Sequence, residues 1–414
     1  MSDLVLEPSA MVAGGAALAR DEDGRVVFVD GALPGERVLA RVEDARRDFA
    51  RARVVQVLQA SPDRVGPPCT ALATGCGGCT WQHVRPEAQV RFKADIVIDA
   101  LRRIARLAEP PLLSTQPLTG PALRTTARLG VSTTGRAGHN RRSGASGRRR
   151  TGGPPRPRSP DVVETDACLA THASLEELVA AGRFPGASEV LLRVGVASGE
   201  RVVRVSGGGE AVHVPGDVTV VRTGDRRSAF VHEEVAGRRF RISTESFFQP
   251  GPVAATGLAE AVTAAAGDAL TSGSHLVDLY AGVGLFASVL GAASGARVTA
   301  VESEAPAVAD AEVNLADLDA RIVTSEVGRW RLPPGEAPPD VVVADPARPG
   351  LGRPGAAAVV TAGAPRVVLV SCDPASLARD TLLLSAAGYR LASVCLVDAF
   401  PHTAHVETVS RFDR

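Results

Sequence analysis

The chain has 414 residues, room for two to four domains at about 100–200 residues each, and its 45% hydrophobic and 22% charged content is that of an ordinary globular protein. Apolar stretches are cut by Gly, Pro or charge well below the ~20 residues of a membrane helix. The N-terminus, Met1-Ser-Asp-Leu-Val-Leu-Glu-Pro8, carries acids where a secretory leader has a basic and then an apolar region, so a cytoplasmic protein without a membrane segment is expected. The 46 basic and 46 acidic residues cancel, which leaves a nucleic-acid partner to local basic patches.

Residues 1–60 carry four short strand patterns, at 3–7, 24–30, 36–42 and 51–58, separated by turn residues such as Pro34-Gly35. Their even spacing predicts a small Greek-key barrel, the oligonucleotide-binding fold being one option. Arg41, Arg46, Arg47, Arg51 and Arg53 cluster around Phe49, either as a surface that tracks a nucleic-acid backbone or as the solvated rim of a small β-domain. Residues 61–86 are rich in Pro, Gly and Cys and need something to hold them. A helix is predicted over 87–108, where Val90, Ala94, Val97, Ile98, Leu101, Ile104 and Leu107 recur at spacings of three and four.

Between 139 and 160 there is no large apolar residue and Arg recurs, so the stretch cannot offset its ordering entropy by burial. It reads as a basic disordered insert, either a tolerated surface insertion or a phosphate contact. Val-rich strands at 189–195 and 200–205 alternate with Gly-rich turns up to about residue 235. Beyond that, strands at 275–280, 296–302, 340–345, 366–371 and 390–397 alternate with Ala-rich helical stretches, the pattern of a largely parallel, doubly wound sheet.

Five segments carry chemistry. Val277-Asp-Leu-Tyr-Ala-Gly-Val-Gly-Leu-Phe286 runs from a strand through a glycine turn into a helix, and Glu302 ends the next strand 20 residues after Gly282, where an acid reaches ribose hydroxyls. Position 287 is Ala, so the third glycine of a dinucleotide fingerprint is missing; two glycines flanked by acids fit S-adenosylmethionine better, with a purely structural turn as the alternative. Asp345 and Arg348 follow a strand at the edge where open α/β sheets bind ligands. Cys372 ends another strand and precedes a helix whose N-terminus favours thiolate, so it reads as a nucleophile rather than an inert core thiol. Two His and Glu407 in Asp398-Ala-Phe-Pro-His-Thr-Ala-His-Val-Glu407 lack helical ligand spacing, which makes Glu407 a positioned carboxylate. Cys69-x6-Cys76-x2-Cys79, with Cys168 distant, offers thiolates for zinc or a [4Fe-4S] cluster, and spacing alone does not identify the fourth ligand.

Together these segments resemble the class I S-adenosylmethionine-dependent RNA uracil-C5 methyltransferases, which include bacterial 23S rRNA and tRNA enzymes, along almost the whole chain. The residues carrying the resemblance are Cys76-Gly-Gly-Cys-Thr-Trp-Gln-His83, Ser246-Phe-Phe-Gln249, Asp278-Leu-Tyr-Ala-Gly-Val-Gly284, Asp345-Pro-Ala-Arg348, Ser371-Cys-Asp-Pro374 and Phe400-Pro-His-Thr-Ala-His-Val-Glu407. It implies a multi-domain chain: an OB-like TRAM β-barrel at 1–60, a central α+β cysteine-cluster domain at 61–235 and a Rossmann-like α/β methyltransferase domain at 236–414. It further implies Cys372 as nucleophile and Glu407 as base, with Gln249, Tyr280, Glu302 and Asp345 at S-adenosylmethionine. Cys69, Cys76, Cys79 and Cys168 become the ligands of a [4Fe-4S] cluster, zinc being the rival. The implied reaction is methyl transfer to C5 of a uridine in rRNA or tRNA through a Cys–C6 adduct, carried out by a monomer.

Three competing readings differ in class. An RNA cytosine-C5 methyltransferase commonly places a cysteine in the strand-end motif, and Asp345-Pro-Ala-Arg348 has none. A noncatalytic RNA-binding protein on the same architecture is marked by decay at Cys372 or Glu407, and both are intact. A small-molecule methyltransferase leaves the barrel and the cysteine segment without a role.

Overall fold

The computed structural model describes residues 3–111, 113–121, 123–140, 162–165, 167–208, 211–225 and 228–414. Most of the basic insert, residues 141–160, lies outside these; His139 and Asn140, counted with it from the sequence, instead end a strand.

β1 (Asp3–Leu6), β2 (Ala10–Met11), β3 (Ala17–Arg20), β4 (Val26–Asp30), β5 (Arg37–Ala45) and β6 (Phe49–Gln59) form a sheet in the order β1-β5-β6-β4-β3-β2. Period-two patterning decides its covered face. Val38, Ala40 and Val42 of β5 and Ala50 and Ala52 of β6 are buried, while Arg37, Arg41, Arg51 and Arg53 stay in solvent. Trp81, Phe92 and Ile96 complete this core from outside the sheet. The last two come from α1 (Pro86–Arg103), which opens on a proline and stops short of the predicted residue 108. Its buried face is Ala88, Gln89, Phe92, Lys93, Ile96, Val97, Ala100 and Leu101, so two polar residues point inward and Val90 and Ala94 flank the face.

After β7 (Leu113–Gln116), a second sheet is built from β8 (Thr126–Val131), β9 (Ala137–Asn140), β10 (Val162–Glu164), β11 (Ala187–Val194), β12 (Arg201–Gly207) and β13 (Thr219–Arg222), in the order β10-β9-β8-β11-β12-β13. Val190, Leu192 and Val194 pack with α2 (Ala173–Ala181); the alternate residue Arg193 points to the other face. The hairpin of β14 (Phe230–Val235) and β15 (Arg238–Ser243) spans the expected boundary at 236, and its Val231, Val235, Phe240 and Ile242 belong to the C-terminal core.

The rest is α3 (Pro252–Ala266), β16 (His275–Leu279), α4 (Leu285–Ser294), β17 (Arg297–Glu302), α5 (Ala305–Asn314), β18 (Ala320–Thr324), β19 (Val341–Ala344), α6 (Gly352–Ala362), β20 (Arg366–Ser371), α7 (Pro374–Ala386), β21 (Arg390–Val397) and β22 (Thr408–Asp413). The third sheet runs β18-β17-β16-β19-β20-β22-β21-β7. β16 to β20 pair in parallel and β22 is antiparallel to both of its neighbours. β7 pairs with β21 and α1 packs on the same sheet, so these two elements, counted with the central region from the sequence, are built into its neighbours.

Alternate residues of the parallel strands enter two cores. Leu276, Val298, Val343 and Val368 pack with α3 and α4; Val277, Leu279, Val342 and Leu369 pack with α1, α6 and α7. Burial on both faces is why these strands read as unbroken Val and Leu runs. The chain moves outward from β16 to β18 and returns to lay β19 on the other side of β16. That reversal opens a crevice at the carboxyl ends of β16 and β19, where ligands bind in such sheets. No helix among the described residues is long and apolar enough to cross a membrane.

Candidate active site

The turn after β16 forms one wall of this crevice. Tyr280 takes φ 62°, a left-handed conformation that costs a non-glycine residue energy, and its hydroxyl lies against Gly355 of α6. Gly284 has φ 85° and would set a Cβ 3.2 Å from Leu315, so any side chain there would be strained and would press on Leu315. The N–H of Gly282 donates to Oε2 of Glu302 at 2.9 Å, and Oε1 of Glu302 accepts from the N–H of Glu304 at 2.8 Å. Asp278 is fully buried; its Oδ2 accepts from the Ala287 N–H at 2.9 Å and its Oδ1 has no partner among the described residues. Burial pushes its carboxyl up to about 8, helped by the nearby charges of Asp345 and Glu302.

The opposite wall carries the thiol. Asp345 follows β19, Cys372 follows β20, and Glu407 immediately precedes β22, the antiparallel strand beside β20. Gln249 Nε2 donates to Asp345 Oδ2 at 3.4 Å. Burial pushes Asp345 up to about 7 and holds Glu407, with Asp345 near it, well above the usual carboxylate range. Burial also pushes the Cys372 thiol up to about 11, reinforced by Glu407 and Asp345 and opposed by Arg348. The sequence expectation that the helix N-terminus favours thiolate is therefore outweighed. Asp373, not Cys372, caps α7 by accepting from the Ser376 N–H at 2.7 Å, and desolvation beside two carboxyls dominates the thiol.

With this geometry in view, similarity to known proteins is informative. Residues 4–55 match the TRAM domain. The chain is 34% identical to an uncharacterised RNA methyltransferase of Streptomyces coelicolor, over 98% of this chain and 91% of that protein. It is also 34% identical to the 23S rRNA (uracil(1939)-C(5))-methyltransferase RlmD of Methylococcus capsulatus, over 95% of this chain and 93% of that one. The chain belongs to this family of RNA methyltransferases. Its fold matches a tRNA (uracil-54, C5)-methyltransferase of Pyrococcus abyssi, solved with S-adenosyl-L-homocysteine, with a TM-score of 0.72 over 99% of this chain and 100% of that one at 21% identity.

Three residues of the methyltransferase that support the crevice escape a reading of the sequence. Asp310, fully buried on α5, accepts from Ser243 N–H at 2.8 Å, Ser243 Oγ at 2.7 Å, Ser246 Oγ at 2.6 Å and Arg241 Nη1 at 2.6 Å. Asn314, one turn on, donates to Val283 O of the glycine turn at 2.9 Å and to Arg241 O at 3.0 Å. Arg193, almost fully buried on β11, donates to Ser243 O, and to Ser246 O at 2.9 Å. They fix the loop that ends in Gln249. The available signal was an Asp and an Asn at i, i+4 among the apolar residues of a short helix.

Cys69, Cys76, Cys79 and Cys168 of the methyltransferase line one cavity, with Gln82, Arg124 and His139. Gly78 N–H points at Cys76 Sγ at 3.4 Å, and His139 Nε2 lies 3.6 Å from Cys168 Sγ. Among the described residues no three His, Cys, Asp or Glu are drawn together into a metal-holding group. Cys395, the remaining late cysteine, sits within β21.

Proposed function

We propose that this RNA methyltransferase modifies C5 of a uridine by way of a covalent adduct on Cys372, with Glu407 as the base. The observation that carries the reading is the placing of Asp345, Cys372 and Glu407 at the ends of neighbouring strands, β19 pairing with β20 and Ser371 of β20 with Thr408 of β22; the two carboxyls also push the thiol up. Uracil C5 is too weakly nucleophilic to take a methyl group unaided. Addition of the Cys372 thiolate to C6 moves an electron pair onto O4 as an enolate. S-adenosylmethionine, when bound, supplies an electrophilic methyl group for C5. The Glu407 carboxylate then removes the C5 proton, and the electron pair left behind expels the thiolate from C6. A carboxylate held above its usual range is a stronger base than an exposed one, which suits this step. The uridine has to leave its stack to reach a half-buried thiol in this crevice.

Tyr280, Glu302, Asp345 and Gln249 are the residues we assign to S-adenosylmethionine. The glycine turn between β16 and α4, fastened to Glu302, supports this, because it brings backbone close to a ligand and an acid to a ribose. Cys69, Cys76, Cys79 and Cys168 are the residues we assign to a [4Fe-4S] cluster, because all four line one cavity beside residues 61–85. That cluster would organise residues 61–85 and take no part in the reaction, since thiol addition and methyl transfer from a sulfonium need no electron. The units 1–60, 61–235 and 236–414 are assigned to RNA binding, cysteine-cluster support and methyl transfer, with α1 and β7 shared between them.

The test is mass spectrometry of RNA from a deletion strain, followed by incubation of that RNA with purified protein and S-adenosylmethionine. Loss of one 5-methyluridine, restored by the wild type and not by Cys372→Ala, is expected. Retention of every 5-methyluridine in the deletion strain sinks the assignment.

A further inference from the structure

Lys93, the only lysine in the chain, has no exposed side-chain surface. Its Nζ donates to Asp398 Oδ1 at 2.6 Å and to Phe400 O at 2.9 Å. One turn earlier on α1, Gln89 accepts from the His402 N–H at 2.7 Å through Oε1. Its Nε2 donates to Val84 O at 2.8 Å and Trp81 O at 3.3 Å. Trp81 N–H in turn donates to His402 O at 2.8 Å, and Trp81 Nε1 to Gly15 O at 3.0 Å. His402 is thus gripped at its N–H and its C=O and holds φ 62°. A left-handed non-glycine residue persists where its surroundings over-determine it.

The segment fixed in this way is residues 398–407. At its far end the Val397 N–H donates to Glu407 O at 2.9 Å, closing the loop on itself. Within it, Thr403 Oγ1 donates to Phe400 O at 2.8 Å and accepts from the His405 N–H at 3.2 Å. A fully buried ammonium is costly and is found where a partner and a purpose offset it. Packing alone would be served by Met or Leu on the same helix face.

We propose that Lys93 and Gln89 are positioning residues for Glu407, clamping the 398–407 loop onto α1 and Trp81 so that its carboxylate meets the C5 proton. The inference rests on the assignment of Glu407 as base. It accounts for Trp81 as a link: two residues past Cys79, it ties the cysteine segment, the Gly15 turn of the first sheet and the Glu407 loop to one point.

The experiment separates formation of the covalent protein–RNA adduct from its resolution. Wild type, Glu407→Gln, Lys93→Met and Gln89→Leu are mixed in single turnover with S-adenosylmethionine and RNA from the deletion strain. Adduct is read on denaturing gels and released methylated RNA by mass spectrometry. Lys93→Met and Gln89→Leu are expected to form adduct at close to the wild-type rate and to resolve it about 10- to 100-fold more slowly, the scale of a displaced general base. S-adenosyl-L-homocysteine affinity should stay within about twofold, since its assigned residues are untouched. Asp398→Asn, at a partly exposed side chain, is the milder variant and decides the matter if the buried substitutions fail to fold. Normal resolution by the folded variants, while Glu407→Gln accumulates adduct, overturns the positioning role. If Glu407→Gln itself forms no adduct or turns over normally, the base assignment has failed and the proposal falls with it.

Discussion

Ser246 Oγ donates to Asp310 Oδ2 at 2.6 Å, joining the loop that carries Gln249 to a helix of the C-terminal sheet. Asp310 is wholly buried and holds four donors, among them the Arg241 guanidinium. The geometry of Gln249 against Asp345 is therefore inherited from α5.

Asp310→Ala should free this loop. Removing one side of a buried, hydrogen-bonded ion pair costs about 3–5 kcal/mol, so a lower melting temperature is expected as well. The milder Asp310→Asn should fold and raise the KM for S-adenosylmethionine by about tenfold, with a smaller effect on the rate at saturation. An unchanged KM in a folded Asp310→Asn would remove the loop from cofactor binding.

Much of the sheet was legible because its strands are apolar on both sides and the residues proposed for the site stand at strand ends, where Asp345 and Cys372 are followed by proline within two residues. The supports were hidden. Gln89 and Lys93 interrupt the apolar pattern of α1 as surface polar residues would, so periodicity shifted the predicted face toward Val90 and Ala94. Their partners, Asp398 and His402, lie some 300 residues away, a separation no local pattern reports. β2 and β3 were missed for a different reason: Ala10–Met11 and Ala17–Arg20 are too short and too Ala-rich to show alternation.

Asp278 makes stability depend on pH in a definite direction. Its carboxyl is held at about 8 against an ordinary 3.8, so the native state keeps a proton that the unfolded chain has already lost. This contribution is fully present below about pH 4 and is lost as pH rises through about 8. Asp278→Asn keeps an acceptor for the Ala287 N–H and cannot ionise. Its melting temperature should fall less than that of the wild type between pH 6 and 9, by about 2 °C or more. Parallel curves for the two proteins would show that Asp278 is ionised throughout.

Cys372 predicts the pH dependence of the first chemical step. With the thiol held up to about 11, the thiolate fraction rises about tenfold per pH unit across the neutral range. In Glu407→Gln, where resolution is blocked, one reinforcing carboxyl is gone but burial and Asp345 still hold the thiol up, so adduct formation should climb from pH 6.5 to 9. Arg348 is the cation that opposes the rise of the thiol, so Arg348→Met should slow adduct formation further at every pH. A rate that is flat over this interval would mean that bound RNA or S-adenosylmethionine resets the thiol before it adds.

The cysteine cavity makes a prediction that the sequence alone would have placed elsewhere. Protein purified without oxygen should be brown and contain iron and acid-labile sulfide; a colourless protein with stoichiometric zinc would refute the cluster. Cys76→Ser should abolish either metal. Remoteness of the cysteines in sequence would confine the damage to folding and RNA affinity, but Trp81 is bonded to His402 at 2.8 Å and shares a core with the first sheet. Loss of the proposed cluster should therefore loosen the 398–407 loop and slow adduct resolution, while S-adenosyl-L-homocysteine binding, assigned to Glu302 and Asp345, should be retained. Hydrogen exchange can follow the same event without turnover, because the His402 and Trp81 amides should lose protection together in Cys76→Ser. Loss of protection at Trp81 alone would mean that the loop keeps its shape through Lys93 and Gln89 and is insulated from the cluster.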